Sequence, residues 1–539
     1  GPESDASMGE CTPSSPDRQR RPDWHVLLRG PHVRGVPLTS FSSPYRAAEL
    51  PIRPEDPFTR GIRMVYRVVL VSLTVLLACG GSTTLPADLV VRDVSVLDVE
   101  SGDWASDRSI FIAGGDIIAM PSSDTPAPEG AEVVDGRGSW VIPGLWDAHV
   151  HSLSNRAWHF PLMLAHGVTG VRNMHTSEPD PWAAISDVRE DIRTGDIPAL
   201  RFIANGPIVD GTPPVWPGSV ALAEASEASE VVDSLVAGGA DFIKVYDNLT
   251  LPAFEAVLAR ATERGIAVDG HLPLRVPAAD AVHLGMRTIE HLTGMVQGCS
   301  SRFAEVAAAH TEFLQAPPLP FPAGDSVFLS QLRRLSDSED ETLCTALADT
   351  YATSGVSVTP TLIISRSQVD PAATMAEQDA STLLPDSLAD QWAMMAGPGP
   401  GQMLAGIMRP VVARLPGHVQ RLNEAGVPIL AGTDAGNLFL VPGASLHDEL
   451  ELLVDAGLSP LEAIRAATAS PATVFEVADS LGHVRVGYAA DFVLLREDPT
   501  RDISAVRQIS AVFLRGRHYD RAQLDSLLAV PTARGGLPR

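Results

Sequence analysis

Six side chains of this sequence are candidates for a metal site, five as direct ligands and a lysine after chemical modification. His149 and His151 are two residues apart in an extended segment, so both side chains point to the same side. The others stand at or near the ends of apolar runs, and they are Lys244, His271, His291 and Asp434. Neutral imidazole and carboxylate groups suit zinc, with cobalt or manganese as substitutes. The pattern therefore predicts a metal centre.

Lys244 is the unusual member of this set. It lies within the apolar segment Phe242–Tyr246, where the burial of an ammonium group is costly. An ammonium group cannot bind a metal ion, but a lysine that has reacted with carbon dioxide becomes an anionic carbamate with two oxygens. Such a group can bridge two metal ions that lie about 3.5–4 Å apart. We therefore predict two divalent ions, zinc in the first place, and carbon dioxide bound as the Lys244 carbamate.

The elements that position these residues form a repeating pattern. Apolar runs alternate with helical stretches such as Leu251–Arg264, and several helices end at a glycine that begins the next run. Eight such units over about 300 residues predict an α/β fold with a closed (β/α)8 TIM barrel, whose catalytic groups lie at the carboxyl ends of the strands. The eight runs are Trp140–His151, Gly167–Asn173, Ala199–Asn205, Ala240–Tyr246, Gly265–His271, Gly285–His291, Gly355–Ile364 and Gly426–Asp434.

Both ends of the chain carry a different pattern. Short alternating strands bounded by glycine turns occupy residues 85–141 and again residues 473–520. We therefore expect a small β-sandwich domain formed from both chain ends. The barrel then covers residues 142–472, and residues 521–539 form a C-terminal helix and tail.

The sequence of residues 1–79 indicates that the protein is exported. Residues 1–63 are rich in Pro, Ser and Arg and predict no stable fold. Residues 64–79 combine a short basic start with an apolar run and small residues, which is typical of an export signal and too short to span a bilayer. Leu76-Leu77-Ala78-Cys79 resembles a bacterial lipobox, which implies a lipid on Cys79. With Gly80 next, the resemblance implies the periplasmic side of the outer membrane.

The charge of the chain and the motifs that it lacks argue against other classes of function. The chain has 66 acidic and 40 basic residues and a formal charge of −26, which argues against a nucleic-acid partner. We found no Gly-x-Ser-x-Gly, His-Glu-x-x-His or glycine-rich phosphate loop, so serine hydrolases, zincins and nucleotide-dependent enzymes have no support. The four cysteines are scattered, and we expect Cys299 and Cys344 to be ordinary thiols.

Several motifs together resemble the amidohydrolase superfamily. Pro143–His151 resembles its opening motif, and Thr288–His291 and Ala431–Asp434 resemble its later metal-site motifs. Gly487–Leu494 resembles the strand that returns to its β-domain, so the likeness extends over about residues 87–520. Lys244-Val245-Tyr246 with these histidines is similar to the prolidase-like and imidazolonepropionase-like branch.

This resemblance implies a ligand set and a mechanism. His149, His151 and Asp434 would bind the first metal, His271 and His291 the second, and Lys244 would bridge them. A hydroxide between the metals would attack a carbonyl that the second metal polarises. Asp434 would carry its proton to the leaving amine, and Asp434 and His291 would be the catalytic residues.

The expected reaction is hydrolysis of an amide or peptide bond in a small substrate, such as an Xaa-Pro-type dipeptide or an N-acyl amino acid. We expect Arg172, Tyr246 and Asn248 to help hold that substrate, and the insertions at residues 294–353 and 365–415 to set specificity. A cyclic amidohydrolase or a single-metal deaminase is an alternative, although Lys244 argues against one metal. A metal-free binding lipoprotein is disfavoured by the complete ligand set, and a homo-oligomer remains open.

Overall fold

The computed structural model describes residues 86–175, 178 and 180–529. The chain divides into two units, Gly1–Ser82 and Thr83–Arg539, and every described residue belongs to the second. The predicted extension, the export signal and the lipidation site Cys79 lie outside the described residues. Within the described part, every helix is too short or too polar to cross a lipid bilayer.

The described strands form three sheets. One has seven strands, one has six and one has three. The strands are β1 (Leu89–Leu97), β2 (Trp104–Ala113), β3 (Asp116–Ala119), β4 (Glu132–Pro143), β5 (Leu145–Val150), β6 (Val168–Asn173), β7 (Arg201–Ala204), β8 (Val209–Asp210), β9 (Val220–Ala221), β10 (Ile243–Val245), β11 (Val268–Gly270), β12 (Thr288–Glu290), β13 (Ser357–Thr359), β14 (Phe492–Leu495), β15 (Ile509–Leu514) and β16 (Arg517–Asp520).

The seven-stranded sheet joins the two ends of the chain. Its order is β16-β15-β14-β4-β1-β2-β3, and β14 runs antiparallel to β4 with Val493 opposite Ile142. Because β4 pairs with β1 on one side and with β14 on the other, the N-terminal and C-terminal strands continue one another edge to edge. These seven strands thus form one hydrogen-bonded sheet from both ends of the chain, and the predicted packing of two sheets in a sandwich stays a prediction.

The other two sheets are parallel, which confirms the predicted α/β class. Their orders are β13-β12-β11-β10-β8-β9 and β5-β6-β7, so seven of the eight predicted runs contain a strand that pairs in one of them. The eighth run makes isolated bridges instead, with Ile429 beside Val358 of β13 and the following Ala435 beside Val150 of β5. The eighth segment therefore contacts both parallel sheets. The hydrogen bonds of the strands do not run through one continuous eight-stranded sheet.

Helices follow most of the parallel strands, and α4 has the predicted bounds and ends at Gly265 with φ +65°. The two predicted insertions are largely helical, and the proline-rich stretch before Ala323 separates α7 from α8. The helices are α1 (Arg156–Ala165), α2 (Pro181–Thr194), α3 (Ala228–Gly238), α4 (Leu251–Arg264), α5 (Ala278–His283), α6 (Thr293–Gly298), α7 (Phe303–Gln315), α8 (Ala323–Asp337), α9 (Glu341–Ser354), α10 (Leu362–Val369), α11 (Pro371–Glu377), α12 (Ala380–Leu383), α13 (Asp386–Met395), α14 (Pro400–Val412), α15 (Leu415–Glu424), α16 (Ala444–Asp455), α17 (Pro460–Ala466), α18 (Ala469–Val474) and α19 (Arg521–Leu528).

The expectation of ordinary thiols is wrong for two cysteines. Cys299 and Cys344 form a disulfide, although 45 residues separate them in the sequence. Cys299 follows α6 directly and Cys344 lies in the first turn of α9, and both are buried. The packing of α9 beside α6 brings the sulfurs together, and spacing along the chain carries no signal of that contact. The bridge encloses α7 and α8.

Candidate metal centre

Three of the six predicted ligands stand side by side because their strands are neighbours. Lys244 lies in β10, opposite Asp269 of β11. His271 and His291 come directly after β11 and β12, which pair with each other in parallel. The carboxyl ends of parallel strands meet at one edge, so these side chains reach the same cavity.

The other three ligands meet where β5 approaches the eighth run. The Asp434 N–H donates to the carbonyl oxygen of His149 at 2.7 Å, which fixes the two segments relative to each other. One carboxylate oxygen of Asp434 lies 2.8 Å from His151 Nε2 and 3.3 Å from His149 Nε2. One ligand atom from each of these residues lies within 4.8 Å of the others, which is a spacing that a single cation can span.

The two groups of ligands adjoin, and together they are called the metal end of the cavity. The His149 and His291 ring centroids are 4.7 Å apart, and those of His271 and His291 are 4.6 Å apart. Lys244 is 1% exposed, and its Nζ lies 5.6 Å from the centroid of the Tyr246 ring. The six predicted residues therefore converge on one place.

Three of the histidines are oriented by a hydrogen bond on the nitrogen that faces away from the centre. Each Nδ1–H donates to an oxygen, which leaves Nε2 as the free ligand atom. The Nε2 atom of His149 is buried and has no hydrogen-bond partner, as expected for a group that awaits a cation. The pairs are His149 with Glu290 at 2.8 Å, His271 with Asp247 at 2.9 Å, and His291 with Thr361 at 2.6 Å.

Burial sets the charge of these groups. It lowers the pKa of His271 and of His291 to about 3, and lowers the pKa of His149 well below its ordinary value, so these imidazoles are neutral near pH 7. Burial also lowers the pKa of Lys244 to about 8, which increases the fraction of free amine. A neutral imidazole is the form that binds a metal, and a free amine is the form that reacts with carbon dioxide. The donor set therefore fits divalent cations.

The backbone at this site adopts conformations that are rare for residues with side chains. His291 has φ +60°, Asp434 has φ +66° and Thr361 has φ +48°. Gly436 has φ +113°, and a Cβ there would lie 2.2 Å from the carbonyl oxygen of His151. Left-handed residues of this kind cost free energy and cluster at functional sites, where the surrounding structure holds them in place.

Arg172 lies elsewhere than expected, which corrects its assignment as a residue that holds substrate. Its side chain is fully buried and does not line the cavity. The guanidinium donates to Glu290 at 2.8 Å, to Asp269 at 2.9 Å and to three further oxygens, so all five N–H groups are used. Because Glu290 also accepts from His149, Arg172 positions a metal ligand through that carboxylate.

Of the other two predicted substrate residues, only one faces the cavity. The Tyr246 ring lies 4.0 Å from that of His271, and its hydroxyl accepts a hydrogen bond from Trp216 at 2.7 Å. Asn248 does not line the cavity, because its amide bonds to Pro213 and to His310.

The cavity above the metal end has a volume of about 660 Å³. Part of its lining is hydrophobic and comes from helices of both predicted insertions and from the start of α10, just after β13. We call this part the apolar wall, and it consists of Phe328 and Leu332 of α8, Ile364 of α10, and Met408 and Val411 of α14.

Several residues of the site were missed from the sequence. Glu290, Asp247 and Thr361 orient the histidines, and each is separated from its histidine by at least 24 residues, so no local pattern connects the pairs. One overlooked signal was available. Lys244 is the only lysine in the chain, and the other basic residues among the 40 are arginines.

Comparison with known proteins agrees with this geometry. The model of the amidohydrolase family matches residues 140–518, which include all six metal-end residues. Ochratoxinase from Aspergillus niger is 42% identical over 91 residues, which are 16% of this chain and 18% of that protein. Adenine deaminase from Nitratidesulfovibrio vulgaris is 32% identical over 218 residues, 39% of this chain and 35% of that protein. The chain thus matches well under half the length of these relatives.

Solved structures match over a longer span. Bottromycin amidohydrolase is 25% identical with a TM-score of 0.60, covering 83% of this chain and 90% of that one. An Xaa-Pro dipeptidase with bound methionine is 19% identical with a TM-score of 0.58, and the match covers 80% of this chain and 99% of that one. The ochratoxinase structure is 17% identical with a TM-score of 0.54, covering 80% and 95%. The last two likenesses concern the fold alone. Since the family model covers more than half of the sequence, the chain belongs to the amidohydrolase family.

Proposed function

We propose that this protein hydrolyses the amide bond of a small N-acylated or dipeptide-like substrate with two divalent cations, most simply zinc. His149, His151 and Asp434 would hold one cation and His271 and His291 the other. Lys244 would join them as a carbamate. One observation carries the proposal: His149 of β5 and His271 and His291, which follow the adjoining strands β11 and β12, are each bonded through Nδ1, which makes Nε2 the nitrogen available to a cation.

The chain's own residues supply orientation and proton transfer. When bound, the two cations would polarise the substrate carbonyl and bring the pKa of water near neutrality. Asp434 lines the cavity, and one of its carboxylate oxygens lies 2.8 Å from His151 Nε2, so its carboxylate stands both at the ligands and at the substrate cavity. Asp434 accepts a proton from the attacking water and donates it to the leaving nitrogen. Tyr246, held by Trp216, forms the side of the cavity beside His271.

The second candidate is deamination at a single metal ion. The observation in its favour is the similarity to adenine deaminase over 39% of this chain. The buried lysine between two sets of histidines argues for the two-cation reaction, because a single cation gives Lys244 no ligand role. Two cations per chain and release of an amine other than ammonia distinguish the first candidate from the second.

The remaining expectations stand as proposals. We propose that the parallel strands close into one barrel, which the bridges from residues 429 and 435 to both sheets support. We further propose export and a lipid anchor at Cys79, supported by the apolar run and the Leu76–Cys79 motif. Extraction of the full chain from cell envelopes only with detergent, and its release in a Cys79→Ser variant, would support the anchor.

The proposed carbamate can be tested directly because the chain has one lysine. Purified zinc-loaded protein is incubated with isotope-labelled bicarbonate and studied by NMR, with metal content measured in parallel. We expect one side-chain carbamate signal and two cations per chain. In Lys244→Ala the signal should disappear and metal content should fall, while an exposed Met403→Ala control on α14 keeps both. Two cations without a carbamate would remove the bridging role, and one cation would favour deamination.

A further inference from the structure

The cavity separates its charge from its apolar surface. Apart from histidines, the charged groups that line it in the described part of the chain are Lys244, Asp247 and Asp434. All three belong to the metal end or contact it, since Asp247 bonds to His271. The five side chains of the apolar wall, among them Phe328 and Met408, offer hydrocarbon and thioether surface, and the polar lining residues beside them on α10, Ser365, Ser367 and Gln368, carry no charge.

No arginine lines this cavity within the described residues. Arg172 is fully buried, and its N–H groups are all used beneath the metal end. A free carboxylate on a substrate that lay against the apolar wall would lose its hydration without gaining a cationic partner, which is costly. The wall therefore selects against a charged group at that end of the substrate.

One neutral polar group in the cavity lacks a partner. Gln297 of α6 is fully buried, and its side-chain N–H donates to the carbonyl oxygen of Leu272 at 3.0 Å. Its side-chain oxygen is buried and has no hydrogen-bond partner, although Gln297 lines the cavity. An acceptor of this kind calls for a donor from the ligand. A secondary amide has such an N–H, whereas the tertiary amide before a proline has none.

We propose that the substrates are uncharged secondary amides with a large apolar group, which packs against the apolar wall while the amide N–H donates to Gln297. This inference rests on the proposed amide hydrolysis and selects within it, against Xaa-Pro dipeptides. In the reaction the water oxygen bonds to the carbonyl carbon and the C–N bond breaks. The nitrogen takes a proton from that water, so the products are a carboxylic acid and a primary amine.

The first test varies the substrate with the zinc-loaded protein. The series is N-acetyl, N-butanoyl and N-octanoyl glycinamide. N-(7-carboxyheptanoyl) glycinamide is the charged counterpart, because its carboxylate lies at the end of the acyl chain that would face the wall, and octanoyl-prolinamide is the tertiary amide. We expect kcat/KM to rise about fourfold per methylene until the wall is covered. The charged counterpart should be poorer by about tenfold or more. Equal or faster cleavage of the charged or the tertiary amide would overturn the inference.

The second test varies the protein. Phe328→Ala and Met408→Ala should lower kcat/KM for the octanoyl amide by about tenfold more than for the acetyl amide, because the long chain makes the larger contact with the wall. Met403→Ala is the matched control, since Met403 lies on α14 with Met408 but is 48% exposed. An equal loss for both chain lengths would contradict the assignment of the wall.

A third test measures whether the side chain of Gln297 accepts a hydrogen bond from the substrate amide. Methylation of the amide nitrogen removes the donor, and we expect it to lower kcat/KM by about tenfold in the wild type. In Gln297→Met this penalty should largely disappear, because the acceptor is gone. A penalty of the same size in both proteins would show that methylation acts through bulk, and would remove Gln297 from the inference.

Failure of the two proposals can be told apart. If the charged dipeptides are cleaved and the neutral amides are not, the inference fails while amide hydrolysis stands. If no amide is cleaved by the zinc-loaded protein, the proposed function fails. Binding of octanoyl glycinamide and of its 7-carboxyheptanoyl counterpart is then measured by calorimetry on that protein. Tighter binding of the neutral compound supports the specificity of the cavity, and tighter binding of the charged one overturns it.

Discussion

The metal end and the apolar wall line the same cavity, yet they differ in the elements that build them and in how their side chains are held. The metal end stands on strand ends, where neighbours such as β11 and β12 fix one another through the backbone. Three of its four histidines are also held by a hydrogen bond at Nδ1. The wall stands on α8, α10 and α14, whose side chains are held only by packing. The positions of the side chains are therefore tightly fixed at the metal end and less tightly fixed at the apolar wall.

This difference suits the two tasks. Metal binding and proton transfer tolerate small errors in position poorly, whereas apolar contact depends on area and shape and tolerates side-chain rearrangement. Variants of the metal end should therefore change all substrates alike, and variants of the wall should change substrates according to their size.

The largest expected effect belongs to Asp434→Asn. The amide has the size of the carboxylate but cannot accept and return a proton, so we expect kcat to fall by about 10²–10⁴-fold. The loss should be the same for short and long acyl groups, measured by steady-state kinetics at saturating zinc. A loss confined to long acyl groups would mean that Asp434 acts on substrate fit, and the distinction between the two regions would then fail.

The next effect concerns the support beneath the metal end. Arg172→Met removes a buried guanidinium from the carboxylates of Glu290 and Asp269, and we expect about 3–5 kcal/mol less free energy of unfolding. Urea denaturation measures this loss. Arg193→Met, which breaks an exposed pair with Glu190, is the control and should change nothing measurable. A wild-type stability for Arg172→Met would show that the carboxylates need no counter-charge.

The Cys299–Cys344 disulfide should affect the apolar wall through α8. It closes a segment that contains α8, so the double variant Cys299→Ser with Cys344→Ser should lose about 2–4 kcal/mol of unfolding free energy. We also expect faster amide hydrogen exchange in α8, weaker discrimination by acyl length and unchanged metal content. A loss of metal without a change in the exchange of α8 would show that the disulfide supports the metal end and not the apolar wall, and would contradict this prediction.

The last effect is a pH dependence of stability at the base of α10, and it leaves the metal end and the apolar wall in place. Glu449 accepts a hydrogen bond from the Ile363 N–H at 2.8 Å, and burial raises its pKa to about 8. The folded state thus holds a proton that the unfolded state releases near its ordinary, lower pKa. The resulting stability is full at low pH and is lost as pH rises through about 8, with a slope of at most about 1.4 kcal/mol per pH unit.

Glu449→Gln tests this slope, because glutamine keeps an acceptor for Ile363 but cannot ionise. The difference in unfolding free energy between wild type and variant should shift in favour of the variant from pH 5 to pH 8 and then level off, as followed by denaturation at each pH. A difference that stays constant with pH would show that Glu449 is ionised in the folded protein.

What could be predicted from the sequence was governed by local rules. The spacing of His149 and His151 follows from the alternation of an extended chain, and the strand ends carried Lys244, His271, His291 and Asp434 to one rim. The bounds of α4 follow from apolar period and its terminal glycine. These features depend on neighbours a few residues apart, so sequence alone determined the ligand types and the parallel α/β class.

The tertiary structure decided everything that joins distant segments. The partners of the histidines, the burial of Arg172 and the Cys299–Cys344 bridge all connect elements far apart in the chain. The single sheet made by both ends and the position of the apolar wall are of the same kind. Such contacts form because whole elements pack to bury apolar area, and that free energy is a property of the assembled surface rather than of any short run of residues.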